Sequence, residues 1–131
     1  MEELWSVGAF EERMLSAKIL GKICKDDPER TLVLLSKFSE EISDWAICDT
    51  LATQGIRRIA RSSQEKIFQI AQRFVESKLM WQRRLGVVLL TNYVKEHNLR
   101  TRIFKIIRPL KNDNEHYIKK AMAWIERKLQ S

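Results

Sequence analysis

The chain has 131 residues, of which 31% are charged and 44% hydrophobic, and a formal net charge of +7. That length suits a single domain, residues 1–131, able to bury a core without staples. Its two cysteines, Cys24 and Cys48, sit in no CxxC or Cys/His cluster, and no apolar run approaches the length of a membrane span, which argues against a disulfide scaffold, a cysteine metal site and a transmembrane protein.

In chain order, Met1–Trp5 is acidic and lacks the basic start and apolar run of a secretory signal. The spacing of Leu15, Ile19, Leu20 and Ile23 predicts a first helix from about Phe10 to Cys24. Asp27-Pro28 reads as an N-cap followed by proline in the first turn, opening a second helix to about Phe38. Ser43 or Asp44 caps a third, which stops near Gln54-Gly55. Ser62-Ser63-Gln64-Glu65 resembles a capping box before a fourth helix with Ile67, Phe68, Ile70, Ala71 and Phe74. A fifth runs from Trp81 to Lys95, a short sixth from Leu99 to about Ile107, ahead of Pro109, and a seventh from Asn114 to Gln130. Glycine and proline are scarce and no stretch alternates like a strand, so the expectation is an all-α chain of about seven helices.

The third helix carries the first chemical hint. Trp45 and Asp49 are four residues apart and share a face. A carboxylate beside a flat apolar wall suits stabilisation of positive charge; the plainer alternative is a core tryptophan and a surface aspartate. Charge is also uneven: residues 1–50 hold six Lys/Arg and eleven Asp/Glu, whereas residues 51–131 hold eighteen and six. A basic C-terminal part points to a polyanionic partner without saying which, and a solvated surface is its bland counterpart.

A repeat underlies the helices. Arg13, Asp49, Arg84 and Lys120 are spaced by 36, 35 and 36 residues, each entering an apolar helical stretch. Such an interval predicts stacked helical hairpins, an α-solenoid whose concave side is the usual binding surface.

Three stretches carry a family resemblance: Trp45-x3-Asp49; Trp81-Gln82-Arg83-Arg84 and the apolar run after it; and Tyr117 to Arg127, with its Lys120-Ala121 and Trp124. From about residue 11 onward the chain resembles the DNA alkylation repair glycosylases built of HEAT-like helical repeats. The resemblance implies hydrolysis of the N-glycosidic bond of cationic alkylpurines, such as 3-methyladenine and 7-methylguanine, in double-stranded DNA, without swinging the base into a deep pocket. It implies Asp49 as the catalytic carboxylate and Trp45 and Trp124 flanking the lesion nucleotide. Arg84 would contact DNA near the lesion, and Arg83, Lys119, Lys120 and Arg127 would meet phosphates. No cofactor or metal is implied, and the location would be cytoplasmic, at the nucleoid.

The chemistry fits that substrate. A cationic alkylpurine leaves as a neutral base, so the second carboxylate of ordinary glycoside hydrolysis, the general acid, is not needed. One carboxylate can stabilise the sugar cation and orient water, and indole faces add cation–π attraction of about 0.5–2 kcal/mol each. This expectation requires Asp49 in the open between Trp45 and Trp124. The competing reading is a non-catalytic HEAT-like module that binds DNA or an acidic protein, in which Asp49 can be paired or buried. His97 and His116 have no partners at ligand spacing, and Cys48, Trp81, Phe68, Phe74 and Met122 read as packing residues.

The chain departs from the family where Ala46 replaces an acidic residue that often follows the first tryptophan, and where flanking helices usual at both ends are absent. It is then a short form, a piece of a longer chain, or a subunit that completes its surface by self-association.

Overall fold

Side-chain caps fix two of the helix starts in the computed structural model, which describes all 131 residues. Eight α-helices form: α1 Glu2–Ser6, α2 Phe10–Ile23, α3 Pro28–Ser39, α4 Trp45–Ala52, α5 Gln64–Val75, α6 Met80–Leu90, α7 Arg100–Ile107 and α8 His116–Gln130. Asp27 caps α3 by accepting from the Arg30 amide at 3.1 Å, with Pro28 in the first turn. Asp44, rather than Ser43, caps α4, its Oδ1 accepting from the Ala46 and Ile47 amides at 2.7 and 3.4 Å.

Three expectations are corrected. The helices number eight rather than seven, because α1 is too short to show a period; it is held by Trp5, which is 2% exposed, stacks on Phe38 at 4.3 Å and donates from its indole nitrogen to Glu41. Gly8, at φ +85°, turns the chain from α1 into α2, a conformation that favours glycine. The capping box before α5 does not form: Ser63 makes no side-chain cap, and the Ser62 hydroxyl turns back to the Ile59 carbonyl. The fifth predicted helix ends early, at Leu90, and passes into a 3₁₀ turn, Thr91–Tyr93.

Helices α2, α4, α6 and α8 pack in succession, while α5 packs on α6 and α7. A cluster of 38 buried apolar side chains runs between the helices, drawing on every one of them. Arg13, Asp49, Arg84 and Lys120 occupy the fourth or fifth residue of α2, α4, α6 and α8, so the sequence interval corresponds to equivalent places on neighbouring helices. Polar ties repeat the interval. Trp5 meets Glu41 across 36 residues, Asp49 meets Arg84 across 35, and Glu29–Lys66 and Glu65–Arg102 each span 37. The two last pairs link α3 to α5 and α5 to α7. Asn92 donates to the Ala52 carbonyl at 2.8 Å, giving the C-terminal end of α4 an acceptor's partner that the helix itself lacks. No helix is long and apolar enough to cross a membrane.

α2 and the turn after α4 approach until their backbones touch. A Cβ on Gly21 would stand 2.1 Å from the Gln54 carbonyl oxygen. Because backbone cannot yield as a side chain tip can, Gly21→Ala should cost about 2–3 kcal/mol, read as a lower denaturation midpoint. An unchanged midpoint would mean that the two segments can part freely.

Candidate functional site

The site is built from the early turns of three successive helices. The Asp44 cap aims α4 so that Trp45 and Asp49 lie on its solvent side, with Trp45 50% exposed. From α6, Arg84 reaches back to Asp49: its Nε donates to Oδ1 at 3.0 Å and its Nη2 to Oδ2 at 2.9 Å. Its Nη1 donates to the Tyr117 carbonyl of α8 at 2.7 Å. The guanidinium thus ties α4, α6 and α8 together. Burial works against its charge, but the hydrogen bonds and charge of Asp49 outweigh that and hold the Arg84 pKa above its usual value. The side chain of Arg84 is 9% exposed and that of Asp49 25%.

This geometry changes two expectations. Asp49 does not stand alone in the open between Trp45 and Trp124 but is paired, as the competing non-catalytic reading allows, and the Arg84 guanidinium turns back to Asp49 and the Tyr117 carbonyl rather than outward. Bidentate arginine is the strongest partner a carboxylate finds on a neighbouring helix, and positions 35 residues apart are brought together by the packing of α4 on α6. Arg83 is likewise committed inside: its Nε donates to Asp113 at 3.0 Å and its Nη1 to the Ser77 and Lys78 carbonyls at 3.2 Å. It holds the turn into α6 against the turn into α8.

Beside the Asp49–Arg84 pair lies a depression of about 330 Å³ lined by Trp45, Arg84, His116, Tyr117 and Lys120. The Tyr117 ring is supported by Trp81 at 4.9 Å and faces His116 edge-on at 5.3 Å. An aromatic wall on α4 and another on α8 therefore bound the hollow, with Arg84 between them and a lysine at its rim; Asp49 does not line the hollow itself but adjoins it through its pairing with Arg84. A larger hollow of about 530 Å³ lies between α3 and α5, around the Glu29–Lys66 pair, and takes no residue from α4, α6 or α8.

Residues 1–129 match the model of a family described as DNA alkylation repair enzyme. The chain belongs to that family. No curated protein and no solved structure matches it. A DNA alkylation repair enzyme has DNA as its substrate and alkylation damage as its object.

In this repair enzyme Trp124, expected opposite Trp45, does not line the depression. It stands seven residues beyond Tyr117 on α8, about 10 Å along the axis, half-buried under the Lys128 ammonium at 5.7 Å. Tyr117 takes the place facing the hollow, and the signal for it was present: Trp45, Trp81 and Tyr117 follow one another at intervals of 36. Lys119, Lys120 and Arg127 are exposed and form no salt bridge. Cys48 is fully buried with its thiol directed at the Trp81 carbonyl. Burial, and secondarily the charge of Asp49, push that thiol well above its usual pKa, so it offers no nucleophile.

Proposed function

We propose that the chain is a DNA glycosylase that hydrolyses the N-glycosidic bond of cationic alkylpurines, 3-methyladenine and 7-methylguanine among them, in duplex DNA. Its helices would stack as a right-handed α-solenoid of HEAT-like hairpins, a reading supported by the polar ties that recur every 35 to 37 residues. The observation that carries the activity is the Asp49 carboxylate, fixed by Arg84 and partly exposed beside a hollow walled by Trp45 and Tyr117.

In this reading the bond between the sugar C1′ and the purine nitrogen breaks, and its electron pair neutralises the positive base. The base needs no proton to leave. Water adds to C1′ and gives up a proton to solvent or to Asp49. Arg84 occupies one direction on each carboxylate oxygen, which leaves each a further lone pair for water or for the sugar cation.

Pairing weakens the field of Asp49 without cancelling it. At an effective dielectric of about 20, a carboxylate about 4 Å from the sugar cation attracts by about 4 kcal/mol, and a guanidinium about 4 Å behind it repels by about 2, leaving about 2 kcal/mol. In return the carboxylate is held in one geometry before the reaction begins, the condition under which such groups are most effective.

A second reading draws on the same pair. With Arg84 buried and ligated on three sides, Asp49 also serves as a structural tie, as in a non-catalytic HEAT-like module that binds DNA or an acidic protein. Release of 7-methylguanine from methylated duplex DNA separates the two. A rate no faster than the spontaneous one would leave only the module.

Trp45→Ala should slow base release about 2- to 10-fold, the range expected when one indole face worth about 0.5–1.4 kcal/mol is removed from a cation. Melting temperature should fall little, because half of the ring is already in solvent. Unaltered turnover would take Trp45 out of the site.

A further inference from the structure

A further hollow, of about 240 Å³, lies where the end of α2 meets the turn after α4. Lys18, Gly21, Lys22, Gln54, Arg57 and Arg58 line it, with no apolar and no acidic residue among them. The close approach at Gly21 is what brings the two lysines of α2 up to the two arginines. None of these cations enters a salt bridge. Arg58 alone makes a hydrogen bond, a long one of 3.5 Å to the Lys22 carbonyl. A recess lined by one sign of charge concentrates the field and draws in a counter-ion.

We propose that this recess binds a backbone phosphate of the duplex whose lesion lies at Asp49, a proposal that rests on the reading of the chain as acting on duplex DNA. Arginine forks match phosphate oxygens, and a recess without an apolar or aromatic wall offers a base nothing to stack on. It reads backbone, not sequence, as repair of scattered lesions requires.

Position supports the assignment. α2 and α8 lie on opposite sides of the Asp49–Arg84 pair, since α2 packs on α4, α4 on α6 and α6 on α8. With helix axes about 8–10 Å apart, the recess and Lys120 are separated by on the order of 25 Å. That is about seven base pairs at 3.4 Å each, so the two would grip the duplex on either side of the lesion. Lys95, exposed and 37 residues after Arg58 as Arg58 is 36 after Lys22, continues the basic row onto the next helix pair.

The test uses Lys22→Gln/Arg58→Gln, two exposed positions whose replacement leaves the fold intact. Binding to a duplex of about 16 base pairs with one central 7-methylguanine is followed across salt concentration, and the variant's slope of log affinity against log salt should be shallower by about one unit. A methylphosphonate in place of the phosphate that meets the recess should reproduce this loss in the parent and add nothing in the variant. If the parent binds duplex steeply in salt and the variant keeps the same slope, the recess is not a DNA site and the repair reading stands. A parent whose duplex binding ignores salt overturns both. Loss of binding to phosphatidylserine vesicles in the variant, with its DNA slope unchanged, overturns the proposal in favour of a lipid headgroup.

Discussion

Asp49→Asn should lower release of 7-methylguanine from methylated duplex DNA by at least about 30-fold, the factor that corresponds to about 2 kcal/mol of lost transition-state stabilisation. Loss of water orientation adds to that figure. Duplex affinity should stay close to the parent's, since Asp49 is negative and makes no favourable contact with phosphate. Asparagine keeps the shape and one acceptor oxygen for Arg84, so the variant should fold. Its melting curve, recorded alongside, separates a chemical defect from a structural one. Equal turnover in variant and parent would remove Asp49 from the reaction and leave the ion pair as a structural feature.

The second large effect concerns Arg84, and it is an effect on stability. Removing one partner of a buried ion pair typically costs about 3–5 kcal/mol because the other charge is left without compensation. Here the Asp49 side chain is 25% exposed and can take up water, so Arg84→Ala should cost about 2–3 kcal/mol, or on the order of 8–10 °C in melting temperature for a chain of this size. The Tyr117 carbonyl also loses its donor, which loosens α8 at the edge of the depression. Arg84→Lys should fall between, keeping the charge but not the two-pronged contact. The salt slope of duplex binding should not move. A fall of about one slope unit with an unchanged melting temperature would instead put Arg84 on a phosphate, as its place in the family resemblance implied.

What could be read from the sequence was mostly what depends on near neighbours. Asp27-Pro28 and Asp44 cap the helices they were expected to cap, because a cap needs only its own turn. Trp45 and Asp49 share an exposed face because four residues make about one turn. The five residues of α1 were invisible, being held by Trp5 against Phe38 rather than by any periodicity. The site was legible in part. The 35-residue interval put Asp49 and Arg84 at equivalent places on neighbouring helices, and opposite charges so placed attract, yet Asp49 was expected in the open and Arg84 against DNA. The same interval linked Trp45, Trp81 and Tyr117, which would have singled out Tyr117 rather than Trp124. Arg83 could not have been assigned in this way, since its partner Asp113 lies in a turn whose position depends on where α7 leaves the chain.

The short reach of the polar ties bears on how the molecule comes together. Among side-chain hydrogen bonds the widest separation is 43 residues, between Ser39 and Gln82. Each closure therefore carries a modest entropic cost, and low contact order of this kind favours quick assembly. Winding can proceed pair by pair as the polypeptide emerges from synthesis. Asp49 meets Arg84 in one step, and only a later one, some 33 residues on, supplies the Tyr117 carbonyl and the far wall of the hollow. Competence would thus arrive last, after most of the scaffold already stands.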